Sequence, residues 1–344
     1  MTLVAKIIYR PIKAALVLLL CVLSACSPTP PEFLQLSGMT MGTTYHITLR
    51  NPGEWTEQSL KAALDERLMA FNQIASTYIS DSELSQINTM PADEWHQLTP
   101  MLFDILVLAV EVSWLSNGAF DVTVGPLVDL WGFGPDRHDG RPDEGAINKA
   151  LQDVGFDRIE LDLAEHKIKK TAPLRIDLSA IAKGYGVDAV ALWLESLGSA
   201  DYLVEIGGEM RVAGLSPRGD SWRIGLESPD LNVDKTTPIL LANIGVATSG
   251  DYRNYFEENG VRYSHTIDPR TGRPITHNLA SVTVLDPSCA FADAMATAFL
   301  VLGGEKTMQL AEQLAIPVYL VEKTDDGFSS RYSSSFGPYL EEEN

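Results

Sequence analysis

Apolar residues in this chain recur at two spacings, which predict two kinds of secondary structure. Alternation over Met41–Leu49 is typical of a strand with one buried face. Further apolar residues then recur every three to four positions, which places them on one face of a helix; they are Leu60, Leu64, Leu68, Phe71 and Ile74. The folded region is therefore predicted to begin near Leu36, with a strand followed by an amphipathic helix.

Capping and terminating residues predict the other helices. Thr99 is a good N-cap, Pro100 suits the first turn, and the apolar run Met101–Leu115 predicts a buried helix. Glycine readily adopts the left-handed conformation that closes a helix. Three more helices that end at glycines are predicted over Asp143–Val154, Ala180–Leu197 and Phe291–Leu302.

Short apolar runs between these helices predict strands. They are Ile159–Leu161, His166–Ile168, Leu174–Leu178, Tyr202–Ile206, Met210–Ala213, Trp222–Leu226, Leu240–Ile244, Ser281–Leu285 and Val318–Val321. Strands and helices are mixed without strict alternation, which favours an α+β fold over a doubly wound parallel sheet. We expect a folded region over 36–335 and a frayed acidic tail over 336–344.

The first 25 residues have the pattern of an export signal. Three basic residues, Lys6, Arg10 and Lys13, precede the run Ala14–Leu23, which is apolar apart from one thiol. A membrane-spanning helix needs about 20 apolar residues, and a proline-rich stretch ends this run too early. Residues 1–25 are therefore predicted to be a signal peptide that is removed.

The residues before Cys26 indicate a lipid anchor. Leu23, Ser24, Ala25 and Cys26 resemble the lipobox of bacterial lipoproteins, in which the cysteine is lipidated and becomes the new N-terminus. The alternative is an ordinary secretory signal with an incidental cysteine. Residues 26–35 would form the lipidated cysteine and a tether. We expect the protein on the periplasmic side of the cell inner membrane, although Ser27 also permits transport to the outer membrane.

Composition and charge narrow the choice of partners. Only Cys26 and Cys289 remain after signal removal, and a lipidated cysteine cannot pair, so a hydrophobic core must stabilise the fold. The formal net charge of −20 would repel phosphate backbones, which excludes nucleic acid as a partner. The same charge indicates that the membrane link is the acyl chain and not a basic patch.

Two polar clusters lie on predicted helices. Asp293 and Thr297 are four residues apart, so their hard oxygen atoms share one helix face and suit Mg²⁺ or Ca²⁺. Helix-dipole and backbone contacts are the alternative for this pair. Asp177 and Lys183 flank the start of another helix, where a phosphate could bind; simple capping by Ser179 is the alternative.

A histidine and several glycine turns provide the remaining candidates. His265 precedes a stiff turn, and it could act as a general base oriented by Asp268, or serve only as a structural hydrogen-bonding group. Small turns that permit close backbone approach to a ligand occur at Met39–Thr43, Ala119–Asp121, Ile206–Gly208 and Thr248–Asp251. No segment matches the phosphate loop of P-loop proteins or the Rossmann glycine motif.

Taken in order, these segments resemble the ApbE family of FAD:protein FMN transferases. The resemblance covers about Gly38 to Gly304, and its segments are Met41–Tyr45, Ser76–Tyr78 with Asp81, Gly118–Val122, Asp177–Gly186, Ile206–Gly208, Thr248–Tyr252, His265–Pro274 and Ala292–Asp293 with Thr297. The family implies central, largely antiparallel sheets with flanking helices, in two fused lobes around an FAD cleft.

The resemblance also implies roles for individual residues. Mg²⁺ would be held by Asp293, Thr297 and the backbone carbonyl of Ala180, whereas some family members carry a second acid where this chain has Ala296. His265 would be the catalytic base, with Asp268 beside it. The residues expected to contact FAD are Met41, Tyr78, Ala119, Phe120, Asp121, Asp177, Lys183, His265 and Ile267.

The reaction implied is Mg²⁺-dependent transfer of FMN from FAD to a threonine hydroxyl of a target protein, with release of AMP. Such a reaction depends on charge neutralisation and alignment more than on a covalent nucleophile. The family's targets suggest subunits of the Na⁺-pumping quinone reductase or Rnf type. Two alternatives remain at this point: hydrolysis of FAD to FMN and AMP, and a non-enzymatic FAD-binding lipoprotein.

Overall fold

The computed structural model describes residues 32–341 except 54, 135–140, 228–235, 252–254 and 259–260, and the side chains of 255–258 and 261–263 are also left undescribed. The predicted signal peptide, Cys26 and most of the tether lie outside the described residues. From Phe33 onward the chain forms one compact unit. Within the described ranges, none of the helices combines the length and the apolarity that a membrane span needs.

Strands and helices make up similar shares of the described part of the chain. The strand bounds are β1 Phe33–Thr40, β2 Thr43–Arg50, β3 His96–Gln97, β4 Ile159–Asp162, β5 Lys167–Lys170, β6 Tyr202–Ile206, β7 Glu209–Ala213, β8 Trp222–Glu227, β9 Thr236–Leu241, β10 Ile244–Gly250, β11 Tyr255–Glu258, β12 Val261–Ser264, β13 Ile267–Asp268, β14 Arg273–Pro274, β15 Leu279–Asp286, β16 Val318–Thr324 and β17 Gly327–Tyr332.

Five of the described helices have bounds close to the predicted ones, whereas the helices at Glu83–Thr89, Gly125–Leu130 and Gly304–Leu314 were not predicted. The helices are α1 Glu57–Ala75, α2 Glu83–Thr89, α3 Pro100–Leu115, α4 Gly125–Leu130, α5 Glu144–Leu151, α6 Ala182–Ser196, α7 Cys289–Leu302 and α8 Gly304–Leu314, with short 3₁₀ turns at Phe156–Arg158 and Gly337–Tyr339. The hydroxyl of Thr99 accepts a hydrogen bond from the Leu102 amide and so caps α3 as expected.

The main sheet is antiparallel throughout, which confirms the predicted fold class. Eight strands lie in the order β1-β2-β6-β7-β10-β15-β16-β17, and each neighbouring pair is antiparallel. The largest hydrophobic cluster packs α3 and α7 against β15 and β16. Because α7 is buried along most of its length, any polar side chain on it is held in a fixed position.

The structure corrects the prediction of a strand over Leu174–Leu178. This segment pairs with a side chain instead of a strand: the Ile176 amide donates to Asn88 Oδ1 at 2.7 Å, and Asn88 Nδ2 donates to the Ile176 carbonyl at 2.8 Å. Asn88 therefore satisfies the backbone groups that a neighbouring strand would otherwise satisfy.

Three further boundaries differ from the prediction. Strand β1 begins at Phe33, within the predicted tether, because Leu34 and Leu36 are both buried. The tail that was expected to fray contains the fully buried Phe336, and Leu340 pairs with Ile239. The single strand predicted over Leu240–Ile244 is two strands, which turn at Asn243 with a positive φ of 54°.

Candidate functional site

A cleft of about 1000 Å³ brings together most of the predicted site residues. It is lined by the turn after α3, the start of α6, the turn between β6 and β7, the segment from His265, and one face of α7. The predicted residues in its lining are Tyr78, Ala119, Phe120, Asp121, Asp177, Ala180, Lys183, His265, Ile267, Asp293 and Thr297. Tertiary packing thus unites segments that are far apart in sequence.

Two predicted site residues lie outside this lining. Met41 is at the tight turn between β1 and β2, with a positive φ of 50°, and its methyl group lies against Gly186. Asp268 accepts two side-chain hydrogen bonds from Arg270, both of 2.8 Å, one to each carboxylate oxygen. Arg270 therefore holds this carboxylate in a paired, charge-assisted geometry next to the cleft wall.

Close packing of α6 on α7 positions Asp293. A methyl group on Gly184 would lie 2.4 Å from the Cys289 carbonyl oxygen and 2.8 Å from Asp293 Cβ, so only glycine permits this crossing. The Gly184 amide donates to Asp293 Oδ2 at 3.0 Å. Asp188, on the same helix as Gly184, accepts from the Ala290 amide at 3.0 Å and anchors the first turn of α7.

Replacing Gly184 with alanine should destabilise the protein, because the two helices would have to separate to admit the added methyl group. The expected loss is about 1–3 kcal/mol in the free energy of unfolding, measured by urea denaturation. Gly145→Ala is the matched control: its added methyl group meets only the carboxylate tip of Asp143, at 3.3 Å. Equal effects of the two substitutions would contradict the close-packing argument.

Three charged side chains meet at the inner end of the cleft. Lys183 Nζ lies 2.5 Å from Glu209 Oε1 and 3.9 Å from Asp293 Oδ1. Burial lowers the pKa of Lys183, but the carboxylates of Asp293 and Glu209 outweigh it and raise that pKa overall. Burial, followed by repulsion from Asp293, raises the pKa of Glu209 to about 7. The ammonium group is thus fixed between two acids.

Glu209 is the site residue that sequence reasoning missed. It is 3% exposed, lines the cleft, and its Oε2 atom accepts no hydrogen bond within the part of the chain that the structure describes. The available signal was an acidic residue directly after Gly207–Gly208, at a strand position that faces the interior. In the sequence alone, only the glycines of this turn stand out as candidates.

Residues with hard oxygen atoms line the same cleft as Asp293. Thr297 Oγ1 lies 3.1 Å from Ser249 Oγ, and Ala180 is also part of the cleft lining. Within the described ranges, no group of three or more His, Cys, Asp or Glu side chains is arranged to hold a metal ion. The oxygen donors nevertheless fit Mg²⁺, which is bound by few carboxylates together with carbonyl, hydroxyl and water oxygen atoms.

Two acids shape the wall near the start of α6. Asp121 is buried and accepts from the Thr123 amide at 2.7 Å and from the Phe156 amide at 3.0 Å, while burial raises its pKa. Asp177 accepts from the Ser179 amide and hydroxyl, at 2.8 and 2.5 Å. Ser179 therefore does not cap the helix, which begins with Ile181 as an N-cap that makes no side-chain hydrogen bond.

His265 is far from Asp121 and Asp177 in the sequence, but it lines the same cleft. Its ring is half-buried and makes an edge contact with the Phe133 ring, with 6.3 Å between centroids. Ile267 and Pro269, which follow it, also line the cleft. An imidazole at a cleft wall is placed to accept a proton from a bound group, provided that the group can approach it.

Comparisons with known proteins find one family over most of the chain. The ApbE family model matches residues 41–320. The FAD:protein FMN transferase of Vibrio cholerae is 45% identical over 325 residues, 93% of this chain and 96% of that protein. The corresponding protein of Haemophilus influenzae is 42% identical over 326 residues, 91% of this chain and 93% of that protein.

Solved structures are similar over the same range. The flavin transferase ApbE from Vibrio cholerae has a TM-score of 0.84 at 44% identity, and covers 90% of this chain and 100% of that chain. The apo form of the flavinyl transferase ApbE from Pseudomonas stutzeri has a TM-score of 0.84 at 37% identity, and covers 91% of this chain and 98% of that chain.

Proposed function

Because this chain belongs to the ApbE family, we propose that it transfers FMN from FAD to a threonine hydroxyl of a target protein and releases AMP. One observation carries this proposal: a single cleft collects Lys183, Asp293 and Thr297 from two packed helices and His265 from a separate segment. A cleft of about 1000 Å³ is also at the upper end of the range for small-molecule sites, as a dinucleotide requires.

The transfer exchanges one phosphorus–oxygen bond for another. The threonine oxygen attacks the phosphorus on the FMN side of the pyrophosphate, its proton passes to the His265 imidazole, and the bond to the AMP oxygen breaks. Lys183 contributes positive charge next to the pyrophosphate, and Glu209 keeps its ammonium group in place. Alignment and charge neutralisation therefore supply most of the rate enhancement.

Asp293, Thr297 and the carbonyl of Ala180 would hold Mg²⁺ at the buried end of the cleft. When bound, this ion would neutralise negative charge on the pyrophosphate and polarise its phosphorus–oxygen bonds. Tyr78, the turn Ala119–Asp121 and Asp177 would contact FAD, and the exposed ring of Tyr78 is available for stacking on a flat ring system.

The deciding experiment is incubation of the protein with FAD and Mg²⁺, with and without a threonine-bearing target. AMP release together with in-gel flavin fluorescence on the target is the expected result. Release of AMP and free FMN at the same rate without a target would identify an FAD hydrolase. Tight FAD binding without AMP release would identify a flavin-binding protein.

We further propose that the targets are membrane redox subunits of the Na⁺-pumping quinone reductase or Rnf type, and that lipidated Cys26 anchors the protein on the periplasmic side of the inner membrane. The lipobox sequence supports the anchor, and Ser27 leaves the outer membrane as the other destination. An enzyme tethered in this way would share a compartment with membrane-bound acceptors.

Replacing Cys26 with alanine should abolish lipidation and leave a soluble or unprocessed protein, because the thiol that receives the lipid is absent. Membrane fractionation after a high-salt wash measures this result. Ser27→Ala is the matched control and should remain in the membrane fraction. Membrane retention of Cys26→Ala equal to that of the unmodified sequence would contradict the lipoprotein assignment.

A further inference from the structure

A small hydrophobic cluster packs against the segment that carries His265, and the chemistry described above gives it no role. Its buried members are Leu127, Trp131, Ile147 and Ile267. Leu127 lies on α4, Ile147 on α5 and Ile267 on β13, so the cluster joins two helices to the β13–β14 hairpin. Ile267 also lines the cleft, two residues after His265. The cluster therefore supports one wall of the cleft.

The β13–β14 hairpin is stiff because its backbone is paired from its base to its tip. Its two strands pair with each other. The Ile275 amide donates to the Thr266 carbonyl at 3.0 Å, and the Gly272 amide donates to the Asp268 carbonyl at 2.9 Å. His265 directly precedes Thr266, so a shift of the tip at Gly272 is carried along the paired backbone to the imidazole.

Trp131 holds the tip of this hairpin. Its ring is 3% exposed, and its Nε1 atom donates to the Gly272 carbonyl at 2.8 Å, across 141 residues of sequence. A buried indole N–H costs free energy unless it has an acceptor, so this bond specifies where the tip can lie. Apolar contacts alone would specify this position less sharply, because they are not directional.

The tip also fits closely against both helices. Gly272 has a positive φ of 68°, and a methyl group on it would lie 2.9 Å from Ile147 and 3.1 Å from both Leu127 and Leu151. Only glycine satisfies the backbone conformation and the available space together. The indole hydrogen bond and this close contact therefore fix the same residue in two independent ways.

The segment that holds the tip also contacts the imidazole. Phe133, two residues after Trp131, lines the cleft and makes the edge contact with the His265 ring. Its amide donates to the Val128 carbonyl of α4 at 3.0 Å. The end of α4 thus touches the hairpin at both Gly272 and His265. A general base works only within hydrogen-bond reach of its proton, so a small shift of this hairpin would slow the reaction.

We propose that Trp131 is a positioning residue for the transfer: by holding Gly272, it sets the β13–β14 hairpin so that the His265 imidazole reaches the attacking hydroxyl. The inference rests on the proposed function, because Trp131 acts only through His265. The cleft lining, as far as the described residues define it, does not include Trp131, so no contact with FAD is assigned to it.

The test measures kcat and KM for the full-length protein with FAD, Mg²⁺ and a threonine-bearing target. Trp131→Phe keeps a flat apolar ring and removes the N–H donor. It should lower kcat roughly 10- to 100-fold, the size of effect that a misplaced catalytic group produces. KM for FAD should stay nearly unchanged, because the residues expected to contact FAD remain.

A double-mutant cycle with His265→Ala separates positioning from a general structural role. Without the imidazole there is no base to misplace, so adding Trp131→Phe to His265→Ala should lower kcat little further. Two independent effects would multiply instead. The cycle therefore measures how much of the Trp131 effect passes through His265.

Trp222→Phe is the matched control. The Trp222 ring is also buried, and its Nε1 atom donates to the Ala213 carbonyl at the same distance of 2.8 Å. The described cleft lining does not include Trp222. Its replacement should lower the melting temperature to a similar extent as Trp131→Phe, and it should leave kcat unchanged.

Gly272→Ala tests the same contact from the hairpin side, and it decides the question if Trp131→Phe does not fold. The added methyl group should push the tip away from α5 and lower kcat as Trp131→Phe does. Gly219→Ala is its control: Gly219 has a similar φ of 83°, but no described atom lies within 4 Å of an added methyl group. It should leave kcat unchanged.

An unchanged kcat in Trp131→Phe, or in Gly272→Ala if the first variant does not fold, would overturn the inference. A Trp131→Phe effect of equal size with and without His265 would also overturn it. In both cases the proposed function stands if His265→Ala alone slows transfer. A wild-type chain that flavinylates no target would overturn the proposed function and this inference together, so the two failures are distinguishable.

Discussion

Replacing His265 with alanine should slow FMN transfer by about 10²–10⁴-fold, the usual effect of losing a general base. FAD affinity should stay nearly native, because the main role proposed for His265 is to act on the attacking threonine hydroxyl, and the other residues expected to contact FAD remain. The rate should recover in part as the pH rises, since hydroxide can then assist the deprotonation. Transfer to a threonine-bearing target across roughly pH 6 to 9, together with FAD titration, measures both effects.

A companion variant tests the turn that follows His265. Asp268→Asn removes the charge that pairs with Arg270, so the turn should loosen and the rate should fall less than in His265→Ala. A His265→Ala protein that loses FAD binding and transfer in equal proportion would show a ligand-contact or structural role. The assignment of His265 as the base would then be wrong.

Replacing Asp293 with alanine should lower the transfer rate by roughly 10²–10³-fold, because it removes the one carboxylate assigned to the Mg²⁺ site. The fold should survive, since Lys183 keeps Glu209 as its partner at 2.5 Å. Asp293→Asn should weaken Mg²⁺ binding less, because one oxygen donor remains. Calorimetric titration with Mg²⁺ and steady-state transfer rates check these expectations.

A nearby carboxylate provides the control for this experiment. Asp188 anchors the start of α7 through the Ala290 amide, yet it does not line the cleft. Asp188→Asn should therefore reduce stability more than it reduces Mg²⁺ affinity. If Asp293→Ala kept both its transfer rate and its Mg²⁺ dependence, the metal would have to bind elsewhere.

Sequence patterns alone predicted the parts of this fold that depend on near neighbours. The helix over Glu57–Ala75 follows from apolar residues at helical spacing, and the start of α3 follows from Thr99 and Pro100. Mixed strands and helices indicated the α+β class, which the antiparallel eight-stranded sheet confirms. These features are local, because a side chain three or four positions away determines which helix face is buried.

Local patterns could not place groups that meet only by packing. Ile176 is 88 residues after Asn88 in the chain. The Asn88 side chain hydrogen-bonds to the Ile176 backbone, where a neighbouring strand would otherwise pair, so the strand predicted over Leu174–Leu178 does not form. Glu209 became a site residue only because β7 places it 2.5 Å from Lys183 of α6. Such contacts depend on which helices and strands pack together, and the spacing of residues along the sequence does not show this.

For the site residues, too, the sequence identified the chemical groups, and the tertiary structure determined how they are arranged. Local sequence motifs identified Lys183, His265 and Asp293 individually as candidate site residues. Only the tertiary structure decided that Gly184 brings α6 close enough for its amide to reach Asp293 across 109 residues of sequence, and that Met41 packs against Gly186 and is not part of the cleft lining. The physical reason is that chemistry belongs to side-chain types, which the sequence lists, whereas distances arise from close packing of buried surfaces.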